Sequence, residues 1–229
     1  KKYLVPAYDF RELSDSVGML PPQRIEYEET VLKDDIHYMR FNFFVPDLME
    51  PIRETILAAA DDGRGLVIDL RSNAGGLAIM ASAITGLLVE EKTTLGKLVL
   101  RNGYITYQGY PQRKRYKGPV ALLIDGGSVS TSEMLAAGLQ ESGRARVFGE
   151  TSLGESLPSV AIRLPSGDLF QFAVGDYFTP RKFRIEKHGV VPDERVSPDP
   201  EQIRAGRDIP LERAVEWLRE QMGKVNDAA

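Results

Sequence analysis

Two glycine-containing loops carry the residues of this chain that are best suited to acyl-transfer chemistry. Acyl transfer needs a nucleophile, a group that accepts its proton, and two backbone N–H donors directed at the developing oxyanion. The segment GGSVSTS at 126–132 offers several hydroxyl groups, and the segment SNAGG at 72–76 offers a tight, glycine-rich backbone. Together they suggest a serine nucleophile beside an oxyanion site.

The hydroxyl residues also have an ordinary structural interpretation. Serine and threonine are preferred at helix N-termini, and Glu133 would complete common capping chemistry there. Four hydroxyls in five positions exceed what one cap needs: Ser128, Ser130, Thr131 and Ser132. The SNAGG segment lacks both the G-x-G-x-x-G spacing and the GK[ST] ending, so nucleotide binding has little support. Asp69, Arg71 and Asn73 are most simply residues that organise the first loop.

The order strand, glycine loop, helix occurs twice. GLVIDLR at 65–71 leads into SNAGG, and PVALLID at 119–125 leads into GGSVSTSE; a helical pattern follows each loop. Short uninterrupted apolar runs are typical of strands buried in a parallel sheet. In such α/β sheets the functional loops lie at the carboxyl ends of the strands. The sequence therefore predicts an α/β fold with both loops at that edge.

The other patterns predict the elements around these loops. Alternating apolar residues indicate a hairpin at 24–32 and 36–44, a strand pair near 97–109, and mostly β structure in four later segments. Those segments are 144–150, 159–165, 168–178 and 184–190. Helical spacing predicts helices at 46–62, 77–90, 134–142 and 211–222. We expect residues 1–23 to be a linker or a remnant of a neighbouring domain, and 24–229 to be the main domain.

Composition narrows the function classes. The 229 residues carry a net charge of −4 with no basic stripe, which argues against nucleic acid. There is no cysteine, so disulfides, thiol catalysis and cysteine metal sites are excluded. The two histidines lie apart from grouped carboxylates, and we expect no metal and no cofactor. No apolar stretch reaches the roughly 20 residues of a membrane span.

Three segments resemble signatures of the C-terminal processing (tail-specific) peptidases. DLRSNAGG at 69–76 resembles their D-L-R-x-N-x-G-G motif, and the segment from Gly126 to Glu155 resembles their S-A-S-A-S-E block with the helix, strand and loop after it. TPRKFRIEKHGVVPDERV at 179–196 resembles the terminal T-P-x-G…G-V-x-P-D block. The resemblance implies a Clp protease/crotonase-like α/β core, with a mixed sheet and flanking helices.

The resemblance also implies roles for individual residues. The middle serine of the block falls on Ser130, which would be the nucleophile. The oxyanion donors would be the amide of Thr131 and an amide of Gly75 or Gly76. The flanking serines would be structural: Ser128 and Ser132. The implied reaction is hydrolysis of extended peptides or protein C-terminal tails through an acyl-enzyme, with no cofactor.

The general base is where the chain departs from the serine–lysine members. Their lysine follows the nucleophile by 25 residues, and that position holds Glu155. A carboxylate near its usual pKa is too weak a base to take a serine proton, so a serine–lysine dyad is excluded there. Glu155 is either a solvated loop carboxylate or a polar residue lining the cleft.

Tricorn-type relatives use a histidine base with a glutamate in the final block, and this branch is the closer match. Glu186 falls on that glutamate, whereas the histidine would come from an upstream segment. The chain begins without an initiator methionine, and we expect upstream parts, such as PDZ and helical domains, to be missing. His37 reads as a strand residue. His188 reads as a surface residue, or as a local base if it shares a strand face with Glu186 and reaches Ser130.

Two other function classes stay open. A non-catalytic module for peptides or apolar ligands, similar to retinoid-binding relatives, would explain the missing lysine. A crotonase-like acyl-thioester enzyme would explain the oxyanion donors but leaves the serine block unexplained. A reactive hydroxyl at Ser130 separates the peptidase from both. The family resemblance favours a periplasmic or extracytoplasmic location.

Overall fold

The structure is a computed structural model that describes residues 2–4, 25–61, 65–197 and 199–227. The predicted linker or PDZ-like remnant at 1–23 thus lies outside the described residues, apart from residues 2–4. The strands are β1 (Lys2–Leu4), β2 (Glu26–Val31), β3 (Ile36–Phe41), β4 (Gly65–Asp69), β5 (Thr93–Leu100), β6 (Gly103–Gly109), β7 (Val120–Ile124), β8 (Ala145–Gly149), β9 (Ser159–Arg163), β10 (Leu169–Ala173), β11 (Gly175–Phe178) and β12 (Glu194–Arg195). The helices are α1 (Met49–Asp61), α2 (Ala78–Gly86), α3 (Thr131–Glu141), α4 (Pro200–Arg204) and α5 (Ile209–Asp227).

A mixed seven-stranded sheet forms the centre, in the order β1-β2-β3-β4-β7-β8-β12. Strands β1, β2 and β3 pair antiparallel, and every pair from β3 to β12 is parallel. The β2–β3 hairpin turns through Asp34 and Asp35, whose φ angles of 65° and 57° suit a residue type that tolerates the left-handed region. The predicted α/β class with a mixed sheet is confirmed.

Alternate residues of the central strands pack on opposite faces of this sheet, as the twofold side-chain period of a strand requires. On one face Met39, Ile68 and Leu122 belong to the larger core, which includes buried residues of α1, α2 and α3. On the other face Val67 and Leu123 pack with residues of α5. Both faces are therefore covered, which explains why β4 and β7 are continuous apolar runs.

Two smaller sheets stand beside the first core. Strands β11, β5 and β6 form an antiparallel sheet in that order, and β9 and β10 form a separate antiparallel pair. The predicted strand at 168–178 is thus two strands, because the chain passes from one sheet to another at Val174. The Tyr177 hydroxyl donates to the Leu95 carbonyl at 2.7 Å and fastens β11 to β5.

Two further predictions need correction. The segment 184–190 contains a turn at 186–188 and is not a strand, because Lys187 has a φ of 66° and the amides of His188 and Gly189 both donate to the Ile185 carbonyl. Helix α2 ends at Gly86, earlier than predicted; the Gly86 and Leu87 carbonyls accept from the amides of Gln112 and Tyr116, each at 2.8 Å, instead of from a continuing helix.

Candidate active site

The two glycine loops follow neighbouring parallel strands, β4 and β7, and Asn73 joins them. Its side chain is fully buried. Asn73 Oδ1 accepts from the Gly75 amide at 2.9 Å and from Ser132 Oγ at 2.8 Å, while Asn73 Nδ2 donates to the Phe41 carbonyl at 2.8 Å. The Asn73 carbonyl accepts from the Val129 amide at 3.0 Å. One side chain thus fixes the first loop against β3 and against the start of α3.

Asp125 and Ser128 make the second link between the loops. Asp125 Oδ1 accepts from the amides of Ser72 and Gly127, each at 2.8 Å. Ser128 Oγ donates to the Leu70 carbonyl at 2.8 Å and accepts from the Asp125 amide at 3.0 Å. The hydroxyls of Ser128 and Ser132 are therefore engaged in holding the loops, as the prediction of structural roles for them requires.

The first loop is also anchored to the C-terminal helix. Arg71 Nη2 lies 2.6 Å from Asp69 Oδ2 and 2.7 Å from Asp208 Oδ2, just before α5. Asp69 is fully buried and also accepts from the Tyr38 hydroxyl at 2.8 Å. Because ion pairs in buried positions depend on complete hydrogen bonding, this arrangement holds the end of β4 in one geometry. The interpretation of Asp69, Arg71 and Asn73 as loop-organising residues agrees with these contacts.

Ser130 is the N-cap residue of α3 and has an unusual backbone conformation. Its φ is 57° and its ψ is −113°, which places a residue with a Cβ in a region that favours glycine. Such strain persists only where the surrounding structure enforces it, and it is concentrated at functional sites. Ser130 is half-buried and lines a cleft.

Two backbone amides beside Ser130 have no acceptor within the described residues. They belong to Gly76 and Thr131, and the Thr131 hydroxyl donates to the Gly76 carbonyl at 2.8 Å. The Gly75 amide, by contrast, is already bonded to Asn73. A Cβ on Gly75, whose φ is 87°, would lie 2.8 Å from the Ser130 Cβ and 3.0 Å from the Thr131 nitrogen. Glycine at 75 therefore lets the first loop approach the start of α3 closely.

Glu133 is a site residue whose contacts with distant residues were not predicted from the sequence. The sequence predicted only its capping bond, which exists: the Ser130 amide donates to Glu133 Oε2 at 2.9 Å. The other oxygen, Oε1, accepts from Ser152 Oγ at 2.6 Å and from the Gly154 amide at 2.7 Å. Burial raises the pKa of the Glu133 carboxyl, while these hydrogen bonds act against the rise. Glu133 thus connects Ser130 to the loop that carries Glu155.

The cleft has a volume of about 770 Å³ and one predominantly apolar wall. That wall is built by side chains from the segment after β3, from the end of the first loop, from β5, β6 and β11, and from α3: Phe43, Leu77, Leu98, Tyr107, Met134 and Tyr177. Its polar side carries Ser130, Glu155, Ser156 and Glu186, and the residues 159–161 of β9 form part of its rim. The arrangement suits an extended chain with an apolar side chain next to Ser130.

The two carboxylates predicted near the site do line this cleft. Glu155 is exposed, and Glu186 is half-buried with Oε2 accepting from the Ser156 amide at 3.0 Å. His188 does not line the cleft: its ring lies 5.5 Å from that of Phe183, and Nδ1 contacts the Glu186 carbonyl at 2.8 Å. The premise that Glu186 and His188 share a strand face is wrong, because they occupy a turn. His37 lies near the start of β3, the end away from the loops.

Lysines near the matching position are engaged elsewhere. Lys97 Nζ lies 4.2 Å from the Tyr104 ring centroid, Lys114 pairs with Asp61, and Lys117 pairs with Glu90. Among the described residues, the cleft lining contains no lysine, arginine or histidine. No group of three or more metal-ligating side chains occurs in the described ranges.

Comparison with known proteins identifies the family. The profile of Peptidase family S41 matches residues 35–196. The chain is 30% identical over 168 residues to the carboxyl-terminal-processing protease of Picosynechococcus sp., covering 73% of this chain and 40% of that protein. The corresponding Synechocystis sp. protease is 29% identical over 181 residues, with coverage of 77% and 42%. The chain therefore spans about two fifths of the length of these relatives.

Solved structures with this fold include the photosystem II D1 C-terminal processing protease and the tricorn protease. The TM-score to the first is 0.65 at 23% identity, covering 79% of this chain and 51% of that one. The TM-score to the second is 0.59 at 19% identity, covering 83% and 18%. These likenesses concern the fold, whereas the family match spans both glycine loops, Ser130 and the terminal block. On that match, the chain belongs to peptidase family S41.

Proposed function

We propose that this chain is the nucleophile-bearing core of a serine endopeptidase that hydrolyses peptide bonds through an acyl-enzyme on Ser130. Membership in a peptidase family implies peptide or protein substrates. The observation that carries the proposal is the strained backbone of Ser130, in a cleft, beside the two unpaired amides of Gly76 and Thr131. No capping role requires that combination.

In the proposed reaction, Ser130 Oγ attacks the scissile carbonyl carbon as its proton passes to the general base. The carbonyl oxygen becomes an oxyanion that accepts from the amides of Gly76 and Thr131. The N-terminus of α3 adds a favourable dipole at the same point. The tetrahedral intermediate expels the amine, which takes the proton back, and water then hydrolyses the Ser130 ester by the same route.

For the general base we propose the tricorn-type arrangement, in which Glu186 orients an imidazole that comes from outside the described residues. Two observations support it. By its spacing from Ser130, Glu155 falls where the serine–lysine peptidases that the chain resembles carry their lysine, and no basic side chain lines the described part of the cleft. Glu186 presents a half-buried carboxylate whose Oε2 is fixed by the Ser156 amide, as a residue that orients an imidazole requires.

Strand addition at the free edge of β9 is the proposed mode of substrate binding. Among the described strands β9 pairs only with β10, and Ser159, Val160 and Ala161 line the cleft in succession. An extended peptide can bind such an edge through main-chain hydrogen bonds while its side chains enter pockets. Extended protein segments, including C-terminal tails, are the proposed substrates, and upstream PDZ or helical domains are the proposed aids to their capture.

A non-catalytic binding module on the same scaffold is the second candidate, because the described cleft lacks a basic group. Labelling with a fluorophosphonate probe separates the two, read by intact mass and peptide mapping. We expect an adduct on Ser130 in the full-length protein, none in Ser130→Ala, and full labelling in the control Ser166→Ala, which changes an exposed hairpin serine.

Labelling of this chain alone at Ser130 would place the base within it, against the tricorn-type proposal. An unlabelled full-length protein would favour the binding module.

We propose a periplasmic or extracytoplasmic location from the family resemblance. None of the described helices is both long and apolar enough to cross a membrane. Cell fractionation of the full-length protein tests the location, and recovery with cytosolic markers would refute it.

A further inference from the structure

We propose that Glu155 selects substrates with a basic side chain close to the scissile bond, and selects against a free carboxylate there. This inference rests on the proposed peptidase function and deepens it, because it names the substrate class. It starts from position 155, where the resemblance to the serine–lysine peptidases implies a lysine and this chain carries a glutamate.

The charged side chains that line the described cleft are all acidic. Its charged lining residues are Glu155 and Glu186, and neither forms an ion pair within the described part of the chain. The proposed function places an imidazole beside Glu186, so Glu155 is the carboxylate of the described cleft that is left without a cationic partner. Such a carboxylate attracts a cation and repels an anion. A substrate side chain is the mobile cation that this field would hold.

Ser156 provides a second, independent indication of a hydrogen-bonding ligand. It follows Glu155, lines the cleft and is 4% exposed, and its Oγ has no partner among the described residues. A buried hydroxyl without a partner costs free energy and calls for an explanation. An ammonium group carries three N–H donors and no acceptor, so it can donate to this hydroxyl oxygen and to a carboxylate at the same time.

The backbone of Glu155 is fixed although its side chain is exposed. Glu133 accepts from Ser152 Oγ and from the Gly154 amide, next to Glu155, so the loop is held by the same residue that holds Ser130. Four residues later the chain enters β9, the proposed strand-addition edge. A side chain that reaches Glu155 therefore belongs to a substrate residue near the bond that Ser130 attacks.

A consequence concerns the position of cleavage. A substrate's own C-terminal carboxylate is an anion, and the described cleft offers no cation to hold it. Bonds within a basic segment are therefore favoured over bonds next to the chain end. Recognition of a C-terminal tail, where it occurs, would need a site other than this cleft.

The test uses internally quenched peptides that share one fixed apolar residue. In each peptide one of the three positions before or the three positions after that residue carries lysine, norleucine or glutamate. We expect kcat/KM of the full-length protein to be about 3- to 10-fold higher for lysine than for norleucine at one position, and lowest for glutamate. Glu155→Gln should abolish this preference and Glu155→Lys should reverse it. The control Glu220→Gln makes the same charge change on α5, across the sheet, and should keep it. Raising the salt to about 0.5 M should weaken it.

Binding of the same peptides to Ser130→Ala, measured by fluorescence anisotropy, separates the two proposals. A lysine preference in binding without any cleavage by the wild type would overturn the peptidase function and keep the cation site. Cleavage with equal rates for lysine, norleucine and glutamate would keep the function and overturn the inference. A preference that survives in Glu155→Gln would also overturn it, since another residue would be responsible.

Discussion

Removal of the Glu133 carboxylate should disable Ser130 and destabilise the fold together. The carboxylate is buried and accepts three described hydrogen bonds, from the Ser130 amide, Ser152 Oγ and the Gly154 amide. In Glu133→Ala all three donors lose their acceptor. A buried unsatisfied donor costs about 1–3 kcal/mol, so complete loss gives about 3–9 kcal/mol. Water entering the new space recovers part of this, and we expect a loss of about 3–5 kcal/mol.

Glu133→Gln is the sharper variant because it keeps the volume. The oxygen of the glutamine side chain still accepts a hydrogen bond, but its NH₂ group replaces the second carboxylate oxygen and faces a donor. We expect the free energy of unfolding to fall by about 1–3 kcal/mol. The Ser130 backbone is held at a φ of 57° partly by its bond to Oε2, so the serine should relax in either variant. We therefore expect fluorophosphonate labelling of Ser130 to slow by at least about tenfold under conditions in which the variant is fully folded.

Urea unfolding gives the stability change, and labelling below the onset of unfolding gives the reactivity. Glu141→Gln is the matched control in the same helix, where the side chain accepts one bond from the Arg181 amide near the surface. It should cost under about 1 kcal/mol and leave labelling unchanged. Wild-type stability and labelling in Glu133→Gln would refute the view that this carboxylate positions the nucleophile.

The remaining predictions concern the pH response, the first loop and position 155. Because burial raises the pKa of the Glu133 carboxyl, the folded state binds a proton at this group more readily than the unfolded state does. The protonated carboxyl therefore adds to the unfolding free energy at low pH, and this addition is lost as the pH rises through the pKa of the folded state. The stability deficit of Glu133→Gln, followed by urea unfolding across pH, should therefore shrink as pH rises, and a constant deficit would contradict the raised pKa. Gly75→Ala should cost about 2–4 kcal/mol and abolish labelling, because the new Cβ meets Ser130 and φ is 87°. Gly126→Ala, with nothing within 4 Å of the added Cβ, is the control, and an equal loss there would remove the steric explanation. Glu155→Lys should not accelerate labelling beyond Glu155→Gln, because an exposed lysine keeps its charge; a tenfold acceleration would show that position 155 can still host the base.

The elements that position the site could be predicted from the sequence because their signals are local. The apolar runs of β4 and β7 and the loops after them lie within short windows, and their burial follows from hydrophobicity alone. The segment 184–190 misled the prediction because Ile185 and Val190 are apolar and buried, as strand residues would be. Lys187 in the left-handed region and Gly189 close a turn there instead, which hydrophobicity does not encode.

Contacts between distant segments could not be predicted from the sequence. The capping bond of Glu133 spans three residues and was predictable, whereas its bond to Ser152 spans 19 residues and depends on how β8 and the following loop return to α3. Ser152 Oγ in turn accepts from the Val190 amide at 2.7 Å, 38 residues further along. No periodicity links these positions. The contact between a buried glutamate and a polar residue in a later loop can be identified only from the tertiary structure that brings the two together.

The charge of the cleft shows why the general base could not be assigned from residue types alone. The chain has many lysines and arginines, but Lys114 and Lys117 form ion pairs with carboxylates outside the cleft. The charged residues that line the described cleft are Glu155 and Glu186. A base that takes the Ser130 proton becomes more positive by one charge, and a nearby carboxylate stabilises that form. Glu186 is the half-buried carboxylate of the cleft, so its field would stabilise an imidazole as it becomes protonated. In an exposed lysine at position 155 the same field would stabilise the charged ammonium and hold it inactive as a base.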